Sequence, residues 1–314
     1  MVTNPLQPTL VLPVYRGGPR FLRALDSVNT SEQFFHRIVV SSNGPASNED
    51  MKAVTEYKAQ RIASGQSESK IELINTGEEL PWMAHQYFWL NYLEQTNAQS
   101  DDWVYWFAHD DEVKASGIEA LIDTDGNWPL EKGTIYLGPW AMRHEQGDEL
   151  FSGPRDVDLE SWTSFPIEGP LELPVAEWIA QQLIQPTYIN MSGCVTTLRS
   201  FQEIRKFKVA KPGGMRIEMA TAAAPHNLTV KEFDAPIVIT YGRPNSDRTQ
   251  YARVARQDDK HMIAWLTHYI SKHPSAAIPS TRAALKVGLD YLKVLTKTGK
   301  LPDEDWRRRN IVGP

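Results

Sequence analysis

The chain has 314 residues, 41% of them hydrophobic and 23% charged, the composition of a soluble globular protein with one large or two smaller domains. A formal net charge of −6 argues against nucleic-acid binding, which needs a basic face. The single cysteine, Cys194, excludes an intramolecular disulfide framework and a Cys-based zinc site. No apolar run approaches the ~20 residues of a membrane helix. Met1-Val2-Thr3-Asn4-Pro5 lacks the basic and apolar regions of a signal peptide, so a cytoplasmic protein is expected.

In chain order, the first apolar run, residues 9–14, predicts a strand that ends in a turn at Tyr15-Arg16-Gly17-Gly18-Pro19. Residues 20–28 follow as a helix with Phe21, Leu22, Leu25 and Val28 on one face. A second strand over residues 37–41 runs into Ser42-Asn43-Gly44-Pro45, a strong turn signal. A helix over 48–63, a strand over 70–74, a helix over 85–93 and a strand over 103–107 continue the alternation. This order predicts a parallel sheet covered by helices. The loops after the first, second and fourth strands should then share one edge, where open α/β sheets bind ligands.

The second half is less regular. A strand is expected over 134–138, an irregular stretch over 143–174, a helix over 175–183 and a strand over 187–190. Residues 200–207 read as helix, 236–241 as strand, and 248–295 as helical with a break near Pro274 and Pro279. Most of the ten tryptophans read as core.

The fourth strand ends in His109-Asp110-Asp111-Glu112. Adjacent carboxylates repel each other unless a cation or hydrogen bonds offset the repulsion. Mg²⁺ or Mn²⁺ is the natural cation for hard oxygen ligands beside a phosphate; an acidic helix cap is the alternative. The chain has no phosphate loop, dinucleotide fingerprint or nucleophile elbow.

Three blocks resemble family 2 glycosyltransferases of the GT-A fold: residues 9–15 with the helix end at 24–28, residues 38–44, and residues 106–111. The resemblance covers about the first 125 residues. It implies an α/β, GT-A-type nucleotide-sugar-binding fold with a mostly parallel central sheet flanked by helices, plus a C-terminal helical extension. The implied division is a catalytic domain over 1–247 (a nucleotide-binding half 1–125 and an acceptor half 126–247), with the extension at 248–314. The implied activity is inverting transfer of a sugar from a nucleotide-diphosphate donor to a hydroxyl of a glycan or lipid-linked acceptor, with Mg²⁺ or Mn²⁺. Pro13, Tyr15 and Arg16 would open the nucleotide pocket, and Asn43, Glu49 or Asp50 would stand near the base. Asp111 would be the metal ligand, with His109 as a further candidate, and Asp110 would face the donor sugar. Ser42 and His109 depart from the family pattern.

Other residues are weighed against plainer roles. Glu218, after Gly213-Gly214, is the candidate catalytic base, with an acid at a helix start as the rival. Gly193 would let backbone approach the donor sugar, against a plain turn. Arg243 or Arg248 would pair with phosphate, against surface solvation. Trp82 would stack on an acceptor sugar, against core packing, and His226 reads as a loop histidine rather than a ligand. Residues 282–300 form a basic amphipathic pattern that suits peripheral contact with an anionic membrane, against an ordinary packed helix. A nucleotidyltransferase acting on a sugar phosphate and a non-catalytic nucleotide- or carbohydrate-binding relative are the alternative functions. Oligomeric state is not legible.

Overall fold

The computed structural model describes residues 6–65, 70–96, 98–138, 140–144, 172–174, 192–204 and 229–242, with isolated helical positions between 267 and 298. The first half alternates as the apolar runs predict. Strand β1 (Thr9–Val14) leads to α1 (Gly18–Thr30), β2 (Arg37–Ser42) to α2 (Glu49–Ala63), β3 (Ile71–Asn75) to α3 (Trp82–Gln95), and β4 (Trp103–Trp106) follows. Then come β5 (Glu112–Val113), α4 (Ala115–Leu121), β6 (Thr134–Leu137), β7 (Trp140–His144) and β8 (Glu172–Pro174). The chain returns as β9 (Cys194–Thr197), α5 (Leu198–Ile204), β10 (Thr229–Glu232) and β11 (Val238–Gly242).

Among the described residues, eight strands form one continuous sheet in the order β3-β2-β1-β4-β9-β6-β10-β8. β1 is buried along its whole length, as a central strand covered on both faces must be. It pairs in parallel with β2 (Val14 opposite Ser42) and with β4 (Val11 opposite Trp106). The expected GT-A-type fold with a mostly parallel sheet is corrected here. β9 runs antiparallel to both β4 and β6, and β8 antiparallel to β10, so the sheet is mixed. The physical reason is local. Gly193, at φ 86°, donates its N–H to Trp106 O at the end of β4, and the chain turns back along β4 from there. An antiparallel neighbour entered this way needs no crossover helix.

A second, three-stranded sheet has the order β5-β11-β7. It leans on α4 through an unusually close approach: a Cβ on Gly117 would lie 1.7 Å from Pro236 O. This tight seam follows from the Gly in an otherwise regular helix.

Alternate residues of β1 and β4 face one core. Leu10, Leu12, Val14, Trp103, Tyr105 and Phe107 pack there with Phe21, Leu25 and Val28 of α1. Aromatic rings continue it: Phe35 to Tyr105 at 5.4 Å, Trp128 to Phe233 at 5.8 Å, and Tyr136 stacked on Phe233 at 4.7 Å. The indole of buried Trp128 donates to Phe34 O, so the ring is packed and satisfied. On the other flank, Trp89 and Trp106 both donate to Gln86 Oε1. The core reading of these tryptophans holds.

The expected helix 175–183 and strand 187–190 lie outside the described residues. α3 starts three residues before its expected start because Pro81, extended at φ −53° and ψ 147°, serves as its cap. Among the described residues, no helix is long and apolar enough to cross a membrane.

Candidate functional site

The parallel order β3-β2-β1-β4 puts the loops after these four strands on one edge. Close packing joins them. A Cβ on Gly17 would lie 2.4 Å from Phe21 Cβ and 3.1 Å from His109 Cδ2, so only glycine lets the loop after β1 lie against the end of β4. The Gly17 N–H donates to Asp50 Oδ1 at 3.1 Å, which pins the same loop to the start of α2. Asn48 caps α2 by accepting from Met51 N, and its amide donates to Ser42 Oγ.

Asn43, expected near a base, has a definite structural task. Its amide donates to Leu80 O and accepts from Leu80 N, at 2.9 and 2.8 Å. That two-bond pairing ties the loop after β2 to the loop after β3. Pro13 is a buried residue of β1, opposite Ser41 of β2. Tyr15 and Arg16 are exposed and converge on Glu79: the Tyr15 hydroxyl donates to one carboxylate oxygen at 3.0 Å, and Arg16 Nη2 donates to the other at 2.6 Å.

The acidic run is sorted by its partners. Asp111, at 6% exposure, accepts from the Thr240 hydroxyl at 2.5 Å. Glu112 accepts from the Tyr241 hydroxyl and pairs with Arg23, which lies over the Tyr241 ring at 3.7 Å. Both acids are thus tied to β11. His109 and Asp110 are half-buried at the edge. Ala108 N–H donates to Ser192 Oγ, and Gly193 N–H to Trp106 O, so Gly193 borders the same strand end.

His85 is buried beneath this edge, 2.9 Å from Ser41 Oγ in a hydrogen bond. Burial pushes its pKa down from 6.5 to about 4; the Ser41 contact partly opposes this and nearby His109 adds to it. A histidine kept neutral by folding contributes stability that is fully present above pH 6.5 and is lost as pH falls through about 4. In urea unfolding measured from pH 7 to 4, the wild type should lose stability more steeply on acidification than His85→Gln.

Thr240→Val should leave Asp111 buried without this hydroxyl and cost about 1–3 kcal/mol of stability, measured by urea unfolding. Thr240→Ser should restore most of it.

Among the described residues, no group of three or more His, Cys, Asp or Glu side chains is placed to hold a metal. Asp111, the expected ligand, is turned to Thr240. The half-buried pair Asp110 and His109 fits only a shared site, in which substrate phosphates and water supply most of the ligands.

Glu218, Arg243, Arg248 and His226 lie outside the described residues. Trp82 opens α3, and its side chain also lies outside them. The sequence reading missed Glu79, His85 and Thr240, and Thr240 carried no signal. Asp50, a candidate for the contact near the base, accepts from the Gly17 N–H. An open groove of about 430 Å³, lined by Arg23, Asp26, Ser27, Glu112, Lys114 and Ile239, lies behind the acidic run and does not include the edge residues.

No family model matches the chain, and no curated protein matches it. Among solved structures, it is similar to S. aureus TarS 1-349 in complex with UDP-GlcNAc, at 12% identity, over 90% of this chain and 79% of that one, with a TM-score of 0.45. It is similar to the mannosyltransferase PcManGT from Pyrobaculum calidifontis in complex with GDP-Man and Mn²⁺, at 14% identity, over 96% and 78%, with a TM-score of 0.45. It is also similar to the inositol-1-phosphate CTP transferase from T. maritima, at 9% identity, over 82% and 98%, with a TM-score of 0.44. These likenesses are too distant to place the chain in a family. The resemblance to family 2 glycosyltransferases of GT-A fold is corrected accordingly: no family model carries it, and the sheet is mixed.

Proposed function

We propose that the protein transfers a sugar from a nucleoside-diphosphate donor to an acceptor hydroxyl. The supporting observation is the packing of the loops after β1, β2 and β4 on one sheet edge, where Gly17 lies against His109 and the half-buried Asp110 follows. The donor would lie along that edge, with its diphosphate between Arg16 and the end of β4. Arg16 offers a planar fork of donors for phosphate oxygens. The Gly193 turn lets backbone approach the sugar.

In the proposed reaction, the acceptor oxygen attacks the anomeric carbon as the bond to the diphosphate breaks, and the acceptor proton passes to a carboxylate. Glu218 is the candidate base, and attack opposite the leaving group would invert the anomeric centre. A divalent ion, when bound, would neutralise charge on the departing diphosphate. Asp110, with His109 beside it, would hold that ion. Arg243 and Trp82 remain candidates for the diphosphate and the acceptor. Contact with an anionic membrane through the basic stretch 282–300, with Lys286, Lys293, Lys297 and Lys300, would suit a lipid-linked acceptor.

Calorimetric titration with UDP, GDP, dTDP and CMP, each with and without Mn²⁺, tests the reading. At least one nucleoside diphosphate should bind, and Mn²⁺ should tighten it. Mn²⁺ alone should bind weakly, since the substrate supplies most of its ligands. Failure of every nucleotide to bind in the presence of Mn²⁺ would sink the proposal.

A further inference from the structure

Arg16 and Glu79 belong to loops that follow strands two places apart. In the order β3-β2-β1, Arg16 follows β1 and Glu79 follows β3, so their ion pair crosses over the end of β2. The span is double, because the Tyr15 hydroxyl also donates to Glu79. Beneath it lies the Asn43 loop, fastened to Leu80, the neighbour of Glu79. The bridge thus lies across the part of the edge where a nucleotide would enter.

Two features make it exchangeable. Arg16 and Glu79 are 72% and 50% exposed, so water and salt weaken their attraction. Arg16 also stands at φ 50° with no glycine to ease it, among the described residues the one non-glycine with positive φ. Its guanidinium is stationed over its own Tyr15 ring at 5.0 Å and on a carboxylate, the kind of planar anion whose place a phosphate can take.

Resting on the nucleotide-binding reading above, we propose that Glu79 is an anion surrogate: it holds Tyr15 and Arg16 across the end of β2 until a nucleoside diphosphate takes Arg16 from it. Glu79 therefore works against donor binding. It tunes affinity by competing for the cation that the diphosphate needs, and it keeps that cation in place in the empty enzyme.

The test is calorimetric binding of UDP and GDP, with Mn²⁺, to the full chain and to Glu79→Gln, Arg16→Ala and the double variant. Glutamine keeps an acceptor for Tyr15 and removes the charge. Glu79→Gln should bind about two- to fivefold more tightly, with an unchanged thermal midpoint. Arg16→Ala should bind more weakly, and the double variant should match Arg16→Ala, because the gain passes through Arg16. If wild type binds and Glu79→Gln binds more weakly, this proposal falls and the nucleotide-binding reading stands. A gain of the same size in the Arg16→Ala background also overturns it. If no variant binds any nucleotide, both readings fall together.

Discussion

Asp110→Asn should reduce release of nucleoside diphosphate from a sugar-nucleotide donor by about 10²–10³-fold, while the protein keeps its thermal midpoint. The expectation follows from how the acidic run is divided. Asp111 is buried under Thr240, and Glu112 is occupied by Tyr241 and Arg23. Their charges serve the junction between the end of β4 and β11. Asp110 is half-buried beside His109 at the strand edge, where the proposed donor would lie. Asparagine has nearly the same shape but no charge, so the loss would report electrostatics rather than packing. Asp111→Asn should show the opposite balance, with a larger loss of stability and a smaller loss of turnover. Near-normal turnover in Asp110→Asn, together with its abolition in Asp111→Asn, would return the metal-holding role to Asp111.

Gly117→Ala should cost on the order of 4 kcal/mol or more in urea unfolding, more than an ordinary surface change. The added methyl would sit 1.7 Å from Pro236 O and 2.7 Å from its carbonyl carbon, and backbone cannot swing aside as a side chain can. Relief requires α4 and the segment entering β11 to separate. That would break the Lys114 N–H bond to Ile237 O and loosen the pairing of β5 with β11. Because β11 carries Thr240 and Tyr241, binding at the strand edge should weaken along with stability. Gly133→Ala is the contrast: at φ 84°, with no atom within 4 Å, it should cost only the left-handed conformation, about 1–2 kcal/mol. Equal costs for the two would refute the steric account.

The first half of the fold was legible because its signals are local. Runs such as Leu10-Val11-Leu12 and Ile38-Val39-Val40 bury both faces, and turn residues mark their ends. Their order placed the ligand edge, and with it Gly17, Asn43 and the acidic run. What failed to show depends on contacts made far along the chain. Thr240 meets Asp111 across 129 positions, and no periodicity links them. Without that partner, Asp111 reads as a metal ligand; with it, the acid is an anchor. Asn43 likewise reads as a polar group for a ligand, because its bonding to Leu80 follows only from how two loops fold together. β9 was hidden for the same reason: the strand expected nearby lay at 187–190, and Cys194-Val195-Thr196-Thr197 is a strand through its pairing with β4 and β6.

The position of β9 also bears on how the chain comes off the ribosome. β4 borders β1 on one side, and its other side stays open until residues 194–197 have been made and laid antiparallel against it. Throughout that interval a nascent chain would present the unpaired backbone of Trp103-Val104-Tyr105-Trp106, an apolar edge suited to pairing with another molecule. A fragment ending before Gly193 should therefore be prone to aggregate even though it holds four complete strands of the sheet's parallel side.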